Sequence, residues 1–314
     1  MAPILIRCGG YQPAASIHNR AADLLGKGIA QRLGDAVRFE LDGDIVASGH
    51  KAADLLEWVS SGRIEMCYFS TSYLAEAVPE LAVLDLPFLI DRREQAYAAL
   101  DGRLGERLSA QLAEARGYKV LGYFDNGFRH LSNRLRPIRT PQDCRGLRIR
   151  TLFSETHARV FRQLGFDPVA LDVKELLAAV SSGAVDAQDN PLTNIYNFGI
   201  HAYHRHITLS AHFWGAAALL CHGETFARWP GEVRAAVSAA AAEAVAAQRR
   251  MAAEEDAQAL KKLEAAGCDI VRLSAAERAE FVRAVAPVLE ERRAALGPPL
   301  FDALAAPVSR WNGV

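Results

Sequence analysis

Two periodicities alternate along this chain. Short strand-like stretches at 3–8, 37–41, 147–150, 168–171 and 184–188 are separated by segments in which apolar residues recur every three or four positions. One such segment carries Ala21, Leu24, Leu25, Ile29 and Leu33 behind a candidate cap at Ser16, and stops at Gly34. Another presents Leu176, Leu177 and Val180 on one face. Asp172 and Glu175 form a D-x-x-E capping box at its start, and Gly183 ends it. Between 147–150 and 168–171, Ser154 and Gly165 bracket a third helix. Strands alternating with helices of about ten residues predict βαβ crossovers and a parallel sheet. Ligands of such sheets sit beyond the carboxyl ends of the strands. Arg150 and Asn190 are both placed at such ends.

The pattern also repeats. LLEWVSSGRIE at 55–65 returns as LLAAVSSGAVD at 176–186, with helix face, Ser-Ser-Gly stop and following strand in the same order. An echo of one supersecondary unit at that distance predicts two lobes of similar construction. A surface helix at 92–116, broken near Gly105, leads into a strand at 118–124. Asp125-Asn126-Gly127 reads as a turn that opens the second lobe, and the chain is expected to cross back near 210–214. A helix over about 231–266 is long enough to span both lobes. Ser274 starts another, which 297–299 stops; the tail 300–314 is weakly patterned. The expected division is 1–125 plus 212–253 for lobe I and 126–211 plus 254–314 for lobe II, with hinge crossings near 125 and 211.

Composition narrows the function. A chain of 314 residues, 50% hydrophobic, can bury two ordinary cores. With 36 basic and 37 acidic side chains, it has no global field for nucleic acid or an anionic membrane. The arginines of 129–162 lack interleaved aromatics and lie across strands, loops and helices, so no nucleic-acid face is expected. Cys8, Cys67, Cys144, Cys221 and Cys268 show no C-x-x-C spacing and read as mostly free thiols. No apolar run approaches the roughly 18 residues of a membrane-spanning helix.

Catalytic signatures are missing: no nucleophile elbow, phosphate loop, dinucleotide fingerprint, H-E-x-x-H or thiolate zinc spacing occurs. His201, His204, His206 and His212 cluster in sequence, yet a helix-to-strand transition would turn them apart, so neither metal nor other cofactor is expected. Tyr11, Tyr68, Phe69, Tyr73 and Trp214 fall near predicted cleft edges, where they could stack on a ligand or belong to the core. Spacing alone leaves Arg150 open between a solvated side chain and an anion ligand. Asn190, preceding Pro191, is open between a helix cap and a ligand contact.

Five stretches together resemble a known family. GLRIRT at 146–151, AVDAQDNPLTNIY at 184–196, LDLPFLID at 84–91, FDNGFRHLSN at 124–133 and RHITLSAHFW at 205–214 match, in order and spacing, the DctP-like solute-binding proteins of TRAP (tripartite ATP-independent periplasmic) transporters. The resemblance implies an α/β, two-lobed periplasmic-binding-protein-like fold and an arginine–carboxylate clamp. Arg150 would grip the ligand carboxylate, Asn190 would hydrogen-bond it and Arg129 would assist. It also places His212 at the cleft, with His18, His50 and Ser70 near the other end of the ligand; Trp214 joins the expected site from its place at a predicted cleft edge. At Val173 and Leu177 the chain departs from the family, where a phenylalanine and a tyrosine are frequent.

The implied ligand is a small organic acid: a uronate or other sugar acid, a hydroxy acid or a dicarboxylate. The implied partners are membrane-embedded TRAP subunits, and the implied location is the periplasm for a monomer. The start, MAPILIRCGGYQ, has no basic or apolar leader regions, so a signal peptide is expected to be absent from this chain. Two competing readings are an enzyme acting on a small carboxylic acid on a similar two-lobed fold, and the sensing half of a regulator. Turnover would mark the first. The second needs a DNA-binding module, which these residues do not show.

Overall fold

The computed structural model describes residues 3–305. Its nine strands are β1 (Ile4–Gly9), β2 (Val37–Asp42), β3 (Met66–Ser70), β4 (Tyr118–Asn133), β5 (Arg148–Thr151), β6 (Asp167–Ala170), β7 (Ala187–Asn190), β8 (His206–His222) and β9 (Asp269–Arg272). They form one sheet in the order β2-β1-β3-β8-β4-β7-β5-β6, with β9 added on β8. The order reads alike from either end. β1 lies parallel between β2 and β3, as β5 lies between β6 and β7. β3 then pairs antiparallel with β8, and β7 antiparallel with β4. At the centre β4 and β8 pair with each other.

The repeat seen in the sequence therefore occupies equivalent places. Helix Asp54–Ser60 precedes β3 and helix Val173–Ser182 precedes β7. The stop glycines Gly62 and Gly183 have φ of 71° and 72°, a left-handed turn that side chains bearing a Cβ resist.

Buried side chains gather on both sides of the molecule's middle. Leu25, Ile29, Tyr68, Phe69 and Phe124 belong to one core. Leu131, Ile149, Phe161, Phe213 and Phe281 form a second, and Leu176, Val180, Ile195, Ile207 and Leu263 a third beside it. Helix Gly231–Ala265, about 50 Å long at 1.5 Å per residue, packs Val237 and Ala244 into the first core and Ala259 and Leu263 into the third.

Where that helix crosses β4, Gln248 is fully buried. Its Nε2 donates to Asp125 O at 2.7 Å, and its Oε1 accepts from Asp125 N at 2.8 Å. One carboxamide thus satisfies both backbone groups of a residue at a break in the ladder. Arg93 bridges the Asp125 and Asp256 carboxylates beside it. Burial pushes the Asp256 carboxyl up to about 6 despite that arginine.

Three features differ from the sequence-based expectations. Asp125-Asn126-Gly127 is not a turn: β4 continues through it as a bulge against β8, because Gly127 takes φ of 89° while pairing resumes on either side. Asn190 is the last residue of β7, which runs two residues beyond the expected strand end. Finally, the end of the described chain forms helix Pro298–Ala305, and its Leu300, Phe301 and Leu304 bury in the first core rather than with the 254–314 segment's expected lobe. The rest of the tail, 306–314, lies outside the described residues.

All five cysteines are buried and unpaired. No helix among the described residues is long and apolar enough to cross a membrane.

Candidate functional site

A cavity of about 30 Å³ lies between the first core and the other two. Tyr11, Gln12, Ser70 and Tyr73 close it from the first side. β4 supplies Asn126 and Arg129; β5 and β7 supply Arg150 and Asn190; Val173, Asn194 and Phe198 complete the far wall. Ser70, Arg150 and Asn190 stand at or near strand ends and Val173 at a helix start, while Asn126 and Arg129 project from the middle of β4.

Arg150 is 2% exposed. Its Nε and Nη2 donate to the carbonyl of Leu171 at 3.0 and 2.6 Å, and its Nη1 makes no hydrogen bond among the described residues. No carboxylate of the described residues lies within ion-pair distance of it; Asp172, the neighbour of Leu171 in the chain, is buried and its Oδ2 has no hydrogen-bond partner. Asp172 Oδ1 instead accepts from the backbone N–H of Lys174 at 3.0 Å. A buried guanidinium without a counter-ion is costly, and an anion bound in the cavity would relieve that cost.

Arg129 is held differently. Its Nε donates to Asp189 Oδ2 at 2.5 Å and its Nη2 to Asp189 O at 2.6 Å. Behind the pair, His212 Nε2 lies 3.4 Å from Asp189 Oδ2, and Ser210 meets His212 Nδ1 at 2.7 Å. Burial alone would raise the Asp189 carboxyl, but the Arg129 charge and the His212 contact outweigh it and hold it well below the usual range. Burial also lowers His212, outweighing the pull of Asp189, so the ring is neutral at pH 7.

Asn190, 5% exposed, donates from Nδ2 to Gln188 Oε1 at 2.5 Å and accepts from Asn194 Nδ2 at 3.4 Å. The helix-cap reading fails: helix Leu192–Asn197 has Pro191 at its cap and no side-chain cap bond. The carboxamide is left in the cavity wall by a strand that ends on it.

Of the residues expected at the site, Arg150, Asn190, Arg129 and Ser70 meet around the cavity. The other four do not line it. His212 stands behind Asp189. Trp214 is buried in the first core, its ring 6.3 Å from that of Tyr97. His18 packs on Tyr68 and Phe124, with neither ring nitrogen hydrogen-bonded. His50 lies on the surface against Trp58. A helical or turn position near a cleft does not by itself decide which way a ring faces, and these four rings turn inward to a core or outward to solvent.

Gln12, Asn126, Asn194 and Phe198 went unnoticed in the sequence. Asn194 could have been found, since it lies in the first turn of the helix that follows Asn190. Val173 does line the cavity, so the departure from the family pattern there leaves a small side chain on its wall. Leu177, the other departure, is exposed. A larger open groove of about 460 Å³ runs past Ser72, Pro79, Phe153 and Arg162. Arg292 on its wall has an unpartnered Nε but is only half-buried, whereas Arg150 is 2% exposed, and the smaller cavity is the better candidate.

Two βα halves joined through long shared strands, with a buried cation between them, define a two-lobed binding protein. The chain belongs to the bacterial extracellular solute-binding proteins of family 7, whose model matches residues 8–294. It is therefore a solute-binding protein of the TRAP type and not an enzyme. A solute-binding protein of Verminephrobacter eiseniae is 30% identical over 85% of this chain and 78% of its own. The sugar acid binding protein DctPAm of Advenella mimigardefordensis, solved in complex with galactonate, superposes with a TM-score of 0.92 at 27% identity over 97% of each chain. A TRAP periplasmic solute-binding protein of Sulfurospirillum deleyianum, solved with bound succinate, gives 0.91 at 25% identity over 98% of this chain and 99% of its own.

Proposed function

We propose that this protein captures a small organic acid in the periplasm and delivers it to the membrane-embedded subunits of a TRAP transporter. Arg150 carries the reading: a guanidinium buried at a strand end, bonded to one backbone carbonyl and to no carboxylate, is built to receive one. Asn190 and Ser70, on opposite walls, supply uncharged partners for the same ligand.

The lobes divide near 125 and 211, and their parting is a bend of β4 and β8 at the bulged positions. A cavity of about 30 Å³ holds two or three waters at most. Entry of a sugar-sized acid thus requires the lobes to open, and contacts to both walls favour closure afterwards.

Calorimetry on Arg150→Ala against a panel of organic acids tests the reading. The expected loss is about 2–5 kcal/mol of binding free energy. Wild-type affinity in a variant whose circular dichroism is unchanged would exclude the clamp.

A further inference from the structure

The cavity wall holds two cations, and they are not equivalent. Arg129 gives its Nε to the Asp189 carboxylate at 2.5 Å, and both groups are buried, so the pair adds no net charge to the cleft. His212, neutral, adds none either. Arg150 has no such partner. The first-core wall offers Tyr11, Gln12, Ser70 and Tyr73, which are hydroxyl and amide groups without a charge. The remaining cations nearby are engaged elsewhere: Arg93 is shared by Asp125 and Asp256, and Lys174 donates to the carbonyl of Gly49.

We infer that the cleft selects acids bearing a single negative charge and a hydroxylated, uncharged body, and that Asp189 sets this selectivity by cancelling Arg129. The inference rests on the proposed carboxylate clamp and narrows it. A second carboxylate on the ligand would have to leave water for a wall of neutral dipoles, which compensate a full charge poorly. A hydroxyl in its place meets donors and acceptors of its own kind. Relatives of one fold bind galactonate and succinate. The charge count of the wall, more than its shape, separates such ligands here.

Matched pairs that differ only in one terminal group provide the test: galactonate against galactarate, erythronate against meso-tartrate, and 4-hydroxybutanoate against succinate. Calorimetry at pH 8 keeps every carboxylate ionised. In each pair that binds, the monoanion is expected to bind at least tenfold tighter than the dianion. Asp189→Asn frees the Arg129 charge and is expected to shrink that ratio at least tenfold, mainly by tightening the dianion.

Equal or tighter dianion binding by the wild-type protein overturns the inference while leaving the carboxylate clamp standing. An unchanged ratio in folded Asp189→Asn overturns the role of Asp189. Failure of every acid to bind would remove the clamp itself, and this inference with it. If the variant does not fold, the wild-type ratios alone still decide the single-charge rule.

Discussion

Nε2 of His157 lies 3.2 Å from Oδ1 of Asp85, and both side chains are buried where the first core meets the second. Asp85 also accepts a hydrogen bond from Ser72 Oγ at 2.6 Å on its own side and one from Ser154 Oγ at 3.4 Å across the boundary. One carboxylate therefore ties together hydroxyls and a ring from both halves.

Removing it should loosen the shut form. Asp85→Ala is expected to raise the unliganded radius of gyration in small-angle scattering. Ligand affinity should weaken several-fold, in proportion to the fraction of molecules left closed. A folded variant with both quantities unchanged would show that the contact does not hold the halves together.

Asn190→Asp tests the cavity wall opposite Ser70. The substitution sets a carboxylate beside the one that Arg150 is proposed to hold, and like charges at that range repel. Affinity at pH 8 should drop at least tenfold by calorimetry. The melting temperature of the unliganded protein is expected to fall as well, because the buried Nδ2 donor to Gln188 Oε1 is lost, so affinity is read on protein shown to be folded by circular dichroism.

His18 makes acid stability a measurable quantity. Burial among aromatic rings lowers it from the usual range to about 3, and neither nitrogen has a partner. In the unfolded chain it protonates near 6.5, so the folded form gains nothing from His18 above that pH. Stability is lost as pH falls toward 3. At pH 5 the penalty is about 2 kcal/mol, from a gap of roughly 1.5 units at 1.36 kcal/mol each. His18→Leu should remove that part of the slope, so the variant should gain about 2 kcal/mol on the wild type between pH 8 and pH 5. Parallel pH profiles of melting temperature would show that the ring is not held neutral.

Much of this architecture was legible before any coordinates. The capping signals at Ser154 and Asp172 mark helices that begin where expected, and the Ser-Ser-Gly echo sits at equivalent places in the sheet. These are local features, written within a few residues. What escaped depends on distant partners. Asp125-Asn126-Gly127 has the composition of a turn, and only its pairing with β8 keeps it extended. Leu300, Phe301 and Leu304 form a short apolar face whose destination is a core built from the chain's beginning. The family resemblance sets His212 and His18 at the cleft, but His212 stands behind Asp189 and His18 packs on Tyr68 and Phe124. A side chain's direction depends on strand register and helix rotation; a shift of one position reverses it in a strand and swings it by about 100° in a helix.

The two central strands belong to both halves, and this has a mechanical consequence. Lobes joined by loose tethers would wander relative to one another once apart, and ligand binding would have to overcome that freedom. Here β4 and β8 remain zipped to each other along nearly their whole length, with the long helix clasped to β4 through Gln248. In the proposed opening, motion is confined to flexing this ribbon, much as a book opens along its spine. The proposed opening would then follow a single coordinate, and little of the ligand's grip would be spent on restoring order.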